Sequence, residues 1–189
     1  ATDQMLDSPT NNFCTLNPVA GSSLATFSEG NLKSTNTAGG WQGALGTFRI
    51  TSGKWYLETY VDGYPFERIG IITADSFHNI SQIQNVDAAT GPLWYNYTGG
   101  KITNNVLTSY GSSFSNGDII AIALDMDSAT RTITFYKNNV SQGSLNLSST
   151  SIGNTADVLF APVSSVGWSV ANFGQDSSFA GNKTAQGNQ

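Results

Sequence analysis

The amino-acid sequence predicts an all-β fold, an antiparallel sandwich of two sheets, from three observations. Only 11% of the 189 residues are charged, against about 25% in ordinary soluble domains. Asn, Ser, Thr and Gly fill those places, and this mixture disfavours helices and suits strands joined by many turns. About ten short apolar or alternating segments also follow one another with turn signals between them. Because no amphipathic helical stretch separates these segments, an antiparallel sandwich is favoured over βαβ units.

The segment 117–140 is the most informative part of the chain. Residues 119–124 are apolar at every position, which predicts a strand buried on both faces. Residues 130–137 alternate instead, with Ile133 and Phe135 on one face, as in a half-buried strand. A short polar turn joins the two strands, and nothing in the segment is chemically reactive.

Other strand candidates follow the same two patterns. In 54–61, alternation places Trp55, Leu57, Thr59 and Val61 on one face and Tyr56, Glu58 and Tyr60 on the other. Residues 75–93 are the least periodic and predict a long surface loop. The remaining candidates are 45–50, 68–73, 94–97, 106–110, 158–163 and 168–173.

Composition argues against several classes of function. The net charge of −5 comes from 13 acidic and 8 basic residues without runs, so the basic face of a nucleic-acid-binding protein is not expected. No apolar window is long enough for a transmembrane helix, and the polar N-terminus does not fit a signal peptide. Cys14 is the only cysteine, which predicts a small buried side chain rather than a disulfide framework.

A search for catalytic groups argues against an enzyme. His78 is the only histidine, and its neighbours Asp75 and Ser76 are too close in sequence to predict a triad, so we expect a loop histidine without a catalytic task. One His and one Cys cannot supply a usual zinc site. Glu58 is the only acid inside a predicted strand, and without an acidic partner two or four residues away it does not fit a glycosidase pair. No cofactor is expected.

Asp125 and Asp127 are the weak candidates for a metal site. Two carboxylates on one strand face suit a hard cation such as Ca²⁺, but the EF-hand pattern is absent. At the end of a buried strand, acidic residues more often cap the turn through side-chain hydrogen bonds. Turn capping is the favoured reading, and a bound cation is the alternative.

Six segments in order resemble the SPRY domain family. They are SGKWYLETYV, RIGIIT, WYNYTGG, SNGDIIAIALDMDSATRTITFYKNN, LFAPVSS and WSVANFGQ. The resemblance implies a bent, concanavalin-like jelly roll over residues 40–175, with a segment 1–39 that packs on or leads into it and a polar tail or linker at 176–189. It also implies a non-catalytic module that binds proteins or peptides through loops at one end.

The two flanks are similar to segments around SPRY modules in structural proteins of marine tailed phages. These flanks are DQMLDSPTNNFCTLNP and NFGQDSSFAGNKTAQGN. Together with a start at Ala1 rather than Met, this similarity leads us to expect a processed product or a piece of a virion protein, in the particle or outside the cell. Its partner would be another virion protein, or a host-surface protein or glycan, and oligomers would form through the parent protein.

Aromatic side chains beside turns are the candidates for ligand contact. Rigid rings next to small residues give contact area at low entropy cost, as protein interfaces and sugar-stacking sites require. The family pattern places 62–68 and 94–100 near the binding end, with Arg68 as a polar neighbour. The alternative is that each ring folds back over the edge of the core. The candidates are Tyr64, Phe66, Arg68, Trp94, Tyr97 and Tyr110.

Three classes of function therefore remain after the sequence is read. The first is a protein-binding module of the SPRY type, and the second is a purely structural capsid or fibre decoration domain. The third is a carbohydrate-binding, lectin-like module or a degraded glycosidase, because these share the sandwich topology. Glycan binding that is lost in Trp94→Ala or Tyr64→Ala would favour the third class.

Overall fold

A computed structural model of the chain describes residues 12–20, 24–37, 39–62, 67–76 and 91–184, and the statements below concern those residues. Within them the chain forms fifteen β-strands, numbered in chain order, and short 3₁₀ turns. The turns are Pro18–Ala20, Ala74–Ser76 and Leu147–Ser149. No helix in these ranges is long and apolar enough to cross a lipid bilayer.

Six strands form the first large sheet, and all neighbours in it are antiparallel. The order across this six-stranded sheet is β10 (Val106–Ser109), β9 (Gly100–Thr103), β8 (Leu93–Asn96), β7 (Glu67–Thr73), β14 (Val158–Ser164) and β4 (Gln42–Gly43). The long pairing of β14 with β7 lies near its centre.

Seven strands form the second large sheet, which is also antiparallel throughout. Its order is β13 (Val140–Asn146), β12 (Thr132–Lys137), β11 (Ile119–Asp125), β6 (Lys54–Asp62), β15 (Gly167–Asn172), β3 (Lys33–Asn36) and β2 (Ala25–Ser28). A separate pair joins β1 (Leu16–Asn17) to β5 (Leu45–Gly46). The predicted antiparallel two-sheet sandwich is confirmed.

The main hydrophobic core lies between the two large sheets, since each sheet contributes one apolar face. Ile69 and Ile71 of β7 meet Ile122 of β11 and Phe135 of β12 in this core, and all four are 0% exposed. Ile133 is also 0% exposed, so the alternation predicted for β12 is confirmed.

Strand β11 is less covered on its outer face than its apolar sequence predicts. Ile120, Ile122 and Leu124 face the core and are at most 3% exposed. On the other face, Ile119 and Ala123 are only half-buried. The prediction of burial on both faces is therefore correct for the core face and only partly correct for the outer face.

Trp55 is more exposed than the other residues on its face of β6. The side chain lies at the start of β6 and is 37% exposed, although Leu57 and Val61 on the same face are buried. Its Nε1 donates a hydrogen bond to the carbonyl of Ser52 (2.7 Å), and its ring lies edge-on to Phe48. The alternation of the strand is correct, but the core ends before it reaches the first residues of β6.

The sandwich begins before residue 40, where the family resemblance starts. Strands β2 and β3 form one edge of the seven-stranded sheet, so residues 25–36 are part of the fold. The sequence of β3, KSTN, is polar throughout, and that of β2, ATFS, alternates apolar and polar residues over only four positions. They are held by pairing with β15 and by buried polar side chains such as Asn36, which is 1% exposed.

The C-terminal segment is packed as far as Phe179, although its polar composition predicts a tail or linker from residue 176, and residues 180–184 are exposed. Phe179 is 2% exposed and packs with Leu32 and Val170 on the outer face of the seven-stranded sheet. The carboxylate of Asp176 accepts hydrogen bonds from Ser178 and Ala180 and shapes the turn that leads to this ring. One buried ring and one capped turn hold the segment in place. The average composition of a segment reveals neither feature, so the sequence predicts a tail.

Most predicted strand bounds agree with the structure to within the usual fraying of ends. The strand predicted at 45–50 is an exception, because it consists of β5 and a single bridge between Ile50 and Val158. Of the loop predicted at 75–93, residues 77–90 lie outside the described residues. The polar strands β9 and β13 were not predicted.

A second apolar layer covers the outer face of the six-stranded sheet. Trp94, Ile102 and Val163 are buried in it, and Trp41 packs against them. The Trp94 ring crosses the backbone at Gly70, where an added Cβ would lie 2.9 Å from the ring and 2.0 Å from the Leu93 carbonyl oxygen. Glycine at position 70 is therefore a steric requirement of this layer.

Candidate functional site

Several turns that connect strands lie together at one end of the sandwich, which we call the loop end. It comprises residues 39–41, 97–99, 110–118 and 165–166. The side-chain amide of Asn36 ties two of these turns together. Its Nδ2 lies 2.9 Å from the Gly40 carbonyl and 3.0 and 2.8 Å from the carbonyls of Ser164 and Ser165.

Backbone hydrogen bonds join the other two turns at the loop end. The Gly111 amide donates to the Gly99 carbonyl (2.7 Å), and the Phe114 amide donates to the Tyr97 carbonyl (3.0 Å). The Tyr97 amide donates in turn to the carbonyl of Glu67, the first residue of β7. The loop end is thus a cross-tied surface, in which the sheet framework holds each turn in place.

An Arg–Trp pair lies beneath the surface of the loop end. The Arg68 guanidinium carbon lies 3.8 Å from the centre of the Trp41 ring, a close cation–π contact. Arg68 is only 9% exposed, whereas Trp41 is half-buried. The indole therefore covers the charge, and a partner approaching here would meet the ring of Trp41 rather than the guanidinium.

Trp94, one of the rings that the sequence indicates for ligand contact, is buried. It is 2% exposed, and its Nε1 is buried without a hydrogen-bond partner. Since Trp94 lies inside β8 and crosses Gly70, its role is to pack on the sheet. Of the two interpretations given for the aromatic candidates, ligand contact and packing over the core, packing describes Trp94.

The other described aromatic candidates also support the core. Tyr97 is partly buried and packs against it. Tyr110 meets Tyr95 edge-on, with ring centres 5.6 Å apart, and its hydroxyl donates to the Gly143 carbonyl. Burial raises the pKa of Tyr110. Tyr64 and Phe66, like His78, lie outside the described residues.

Residues that sequence reasoning did not select form the exposed part of the loop end. Val166 is 42% exposed beside the turn that Asn36 holds, and Ser115 and Asn116 are exposed in the 110–118 turn. A single valine or serine in a polar sequence carries no recognisable signal. Only the pairing of strands shows that these positions meet Trp41 at one end of the sandwich.

The carboxylates of Asp125 and Asp127 accept hydrogen bonds from turn residues. Asp125 accepts from the amides of Asp127 and Ser128 (3.0 Å each) and pairs with Lys54 Nζ at 3.3 Å. The Ser128 hydrogen bonds lower the pKa of Asp125 to about 2. Asp127 accepts from the Gly53 amide at 2.6 Å. Both therefore cap turns, and the described part of the chain contains no group of three or more His, Cys, Asp or Glu suited to a metal ion.

A tyrosine pair, one exposed and one half-buried, lies on the outer face of the seven-stranded sheet, and we call this area the tyrosine face. Tyr56 of β6 is 52% exposed and lies edge-on to Tyr136 of β12, with ring centres 6.5 Å apart. The Tyr56 hydroxyl donates to Glu58 Oε1 (3.0 Å). Burial, followed by the charge of Glu58, raises the pKa of Tyr56.

Two depressions flank the tyrosine pair. One, of about 310 Å³, lies between Tyr56 and Thr134 and has Ala123 in its floor. The other, of about 390 Å³, is lined by Glu58, Asn138 and other residues. The alternation in 54–61 already placed Tyr56 and Glu58 on one face, but it could not show that this face is open.

Comparison with known proteins shows which fold this is. No family model matches the sequence, and no curated protein sequence matches it either. The structure is similar to the SPRY domain of human HERC1, with a TM-score of 0.66 and 18% identity over 85% of this chain and 99% of that one. It is also similar to a human SPRY domain (TM-score 0.61, 12% identity, 82% and 98% covered) and to the TRIM65 PSpry domain (0.62, 12%, 85% and 91%).

These likenesses show that the chain has the SPRY fold. At 12–18% identity they concern the fold alone. The order of strands predicted from the six sequence segments is confirmed at that level. The phage context expected from the flanks receives no support from them.

Proposed function

We propose that this chain is a non-catalytic binding module that recognises a protein partner through its loop end. The observation that carries the proposal is the cross-tied arrangement of turns at that end. Preformed loops on a rigid sandwich lose little entropy on binding, which is how binding surfaces gain affinity without large area. The SPRY fold and the ordered family motifs support the same function.

The chemistry of the loop end suits a protein rather than a small charged ligand. The half-buried Trp41 and the exposed Val166 offer apolar contact beside exposed polar turns. Protein interfaces combine an aromatic anchor with a polar rim in this way. The charge of Arg68 stays beneath the indole. The cation–π contact between them would strengthen if a partner excluded water.

Photocrosslinking from the loop end tests this proposal. A photoreactive residue is placed at Val166, and a matched one at Val106, which is 55% exposed on the edge strand β10. The protein crosslinked from position 166 is identified in material from the source and then purified. Its affinity is expected to fall about tenfold or more in Val166→Asp and Trp41→Ala and to remain unchanged in Val106→Asp.

Two results would contradict the proposal. One is crosslinking from position 166 that does not exceed crosslinking from position 106. The other is equal affinity of the purified partner for all variants, provided circular dichroism shows that they fold. Hydrolysis of a polysaccharide by the purified domain would overturn its non-catalytic part.

We further propose a place in a phage structural protein, with the partner in the virion or on the host surface. The support for this placement is the similarity of the two flanking segments. Mass spectrometry of purified particles and immunogold labelling with an antibody to this domain test it. Labelling on an exposed fibre fits host contact, and labelling between subunits fits a decoration role. Absence from particles would refute the placement while leaving the protein-binding proposal intact.

The tyrosine face favours carbohydrate binding as a second candidate function. A half-exposed Tyr56 ring flanked by hydroxyl, amide and carboxylate groups offers both a stacking surface and hydrogen-bonding groups. Because Trp94 is buried, carbohydrate binding is tested with variants of Tyr56 and Tyr136 instead of variants of Trp94. Glycan-array binding that is lost in Tyr56→Ala, and retained in Val106→Ala, would support this function. An array without binding above background would exclude it.

A further inference from the structure

An apolar pocket of about 170 Å³ lies at the end of the sandwich opposite the loop end. It opens where the start of β6 and the residue after β15 approach β14, between the two sheets. Its walls include Phe13, Phe48, Trp55, Leu57, Phe160 and Phe173.

Two edge-on ring pairs give the pocket its shape. Phe48 meets Trp55 with ring centres 6.2 Å apart at 79°, and Phe160 meets Phe173 at 5.4 Å and 84°. Edge-to-face packing restrains the orientation of each ring. Phe160 also belongs to the main core, so one wall of the pocket is as fixed as the core itself.

Asn12 in the wall is exposed, and the polar groups of Cys14, Trp55 and Tyr56 already have partners within the chain. Trp55 Nε1 donates to the Ser52 carbonyl (2.7 Å), and the Tyr56 hydroxyl donates to Glu58. Cys14 Sγ lies 3.6 Å from both the Thr15 carbonyl and the Thr47 hydroxyl. A charged or strongly hydrated ligand would lose its water without gaining these hydrogen bonds, whereas an apolar ligand loses nothing.

We propose that this pocket is a second binding site, one that takes a single apolar ring or an alkyl group of similar size. Its volume is close to that of an engineered apolar cavity of about 150 Å³ in another protein, which stays dry and binds benzene. The ring is either a free small molecule or an apolar side chain carried by a partner. The site is independent of the loop end and of the function proposed for it.

The two terminal segments close the pocket from one side. Phe13 and Cys14 come from the N-terminal segment, and Phe173 comes from the C-terminal one. Gln175 Nε2 donates to the Cys14 carbonyl (2.8 Å), so one buried amide holds the two segments together. A ligand in the pocket contacts both segments and stabilises them as a unit.

Benzene titration followed by thermal unfolding tests the site. Benzene at about ten times its Kd is expected to raise the Tm by about 3–5 °C. In an NMR experiment, nuclear Overhauser effects from benzene to the Leu57 methyl groups are expected, since Leu57 lines the pocket. A parallel titration with N-acetylphenylalanine amide shows whether the pocket also accepts a ring attached to a peptide backbone, as a partner's side chain would be.

Filled and matched variants make the outcome specific. Cys14→Met and Ile50→Phe add bulk to the pocket and are expected to reduce the benzene effect by half or more. Val106→Met adds a methionine on the exposed strand β10, outside the pocket, and is expected to leave the benzene effect unchanged. Absence of a saturable Tm rise up to the solubility of benzene overturns the proposal, as does an equal rise in the filled variants. If the filled variants do not fold, the absence of the Leu57 effects overturns it instead.

Discussion

The side-chain amide of Gln175 donates a 2.8 Å hydrogen bond to the main-chain carbonyl of Cys14, joining residues 161 positions apart. Gln175 is 6% exposed, and its Oε1 accepts from the Phe173 amide (2.7 Å). Both ends of one amide are therefore used to bind the N-terminal segment to the end of β15. The two terminal segments behave as one layer on the sandwich.

Replacing Gln175 tests this layer directly. Gln175→Ala is expected to lower the free energy of unfolding by about 2 kcal/mol, because a buried carbonyl loses its donor. Gln175→Glu keeps the acceptor for Phe173 but places a carboxylate against the Cys14 carbonyl. It should destabilise at least as much at pH 7, and less once acid protonates the carboxyl. Urea unfolding at pH 7 and pH 4 measures the stability of both variants. Equal stability of Gln175→Ala and the wild type would show that the hydrogen bond to Cys14 does not stabilise the fold.

The packed C-terminal segment predicts a large effect from Phe179→Ala. Removing a buried ring from a small cluster is expected to lower the free energy of unfolding by about 3 kcal/mol. Val19→Ala, at a position 82% exposed, is the control and should change it little. Urea unfolding followed by circular dichroism makes the comparison. Equal urea midpoints for the two variants would contradict the packing of Phe179 and would indicate that the segment is a linker.

The hydrogen bonds to Asp125 predict a pH dependence of stability. Its folded pKa of about 2 lies below the usual value, so its contribution is present above about pH 4 and is lost as the pH falls through the folded pKa. Ser128→Ala is expected to raise the pKa of Asp125, since it removes the 2.9 Å hydrogen bond from the Ser128 hydroxyl and keeps only the one from the amide at that position. Carboxyl ¹³C NMR titration measures the pKa, with Lys54→Met expected to give a smaller rise. A Ser128→Ala titration that overlays the wild type contradicts the assignment.

Tyr95 predicts the opposite dependence at high pH. Burial, followed by the charges of Tyr110 and Asp118, raises its pKa to about 12. A raised pKa means that this stabilisation is complete below about pH 10, the unfolded pKa, and is lost as the pH rises through about 12. Tyr95→Phe removes the hydroxyl that donates to the Ser112 carbonyl and should lower stability at pH 7 by about 1 kcal/mol.

Ultraviolet absorbance titration and alkaline unfolding check this prediction. Because the pKa values of Tyr56, Tyr95 and Tyr110 are all raised, fewer tyrosines should ionise near pH 10 in the wild type than in its unfolded form. Tyr95→Phe should remove one of these late-ionising groups and shift the alkaline unfolding. Tyr97→Phe, at a partly buried ring, is the matched control. Normal ionisation of every tyrosine in the folded protein would refute the burial of Tyr95.

Apolar periodicity predicts the centre of this fold and misses most of its edge strands, although β10 is predicted, and the misses have one physical reason. Strands such as β11 and β12 bury apolar side chains, so Ile122 and Phe135 leave a pattern in the sequence. Strand β3, next to the edge strand β2, is held by backbone pairing and by the Asn36 amide, and neither depends on apolar alternation. A buried polar residue and an exposed polar residue are identical in the sequence.

The candidate site was predicted less well than the fold, because a ring beside a turn can face either way. Trp94 stands close to Gly91-Pro92 in the sequence, yet it lies inside β8, and Gly70 on the neighbouring strand makes room for it. The exposed Tyr56 and the half-buried Tyr136 are inside strands that the sequence indicates as framework. Exposure depends on which sheet face has a covering layer, and that is a property of the assembled strands.

The packing of the C-terminal segment has a mechanical consequence. A force that pulls on residue 184 acts first on the Phe179 contacts and the capped turn at Asp176, which release one after another. Strand β15 is instead loaded in shear between β6 and β3 and resists as a unit. Residues 175–184 would thus pay out about 35 Å of chain before the sandwich opens. We expect the segment to act as a short extensible tether that absorbs tension and rewinds when the load is removed.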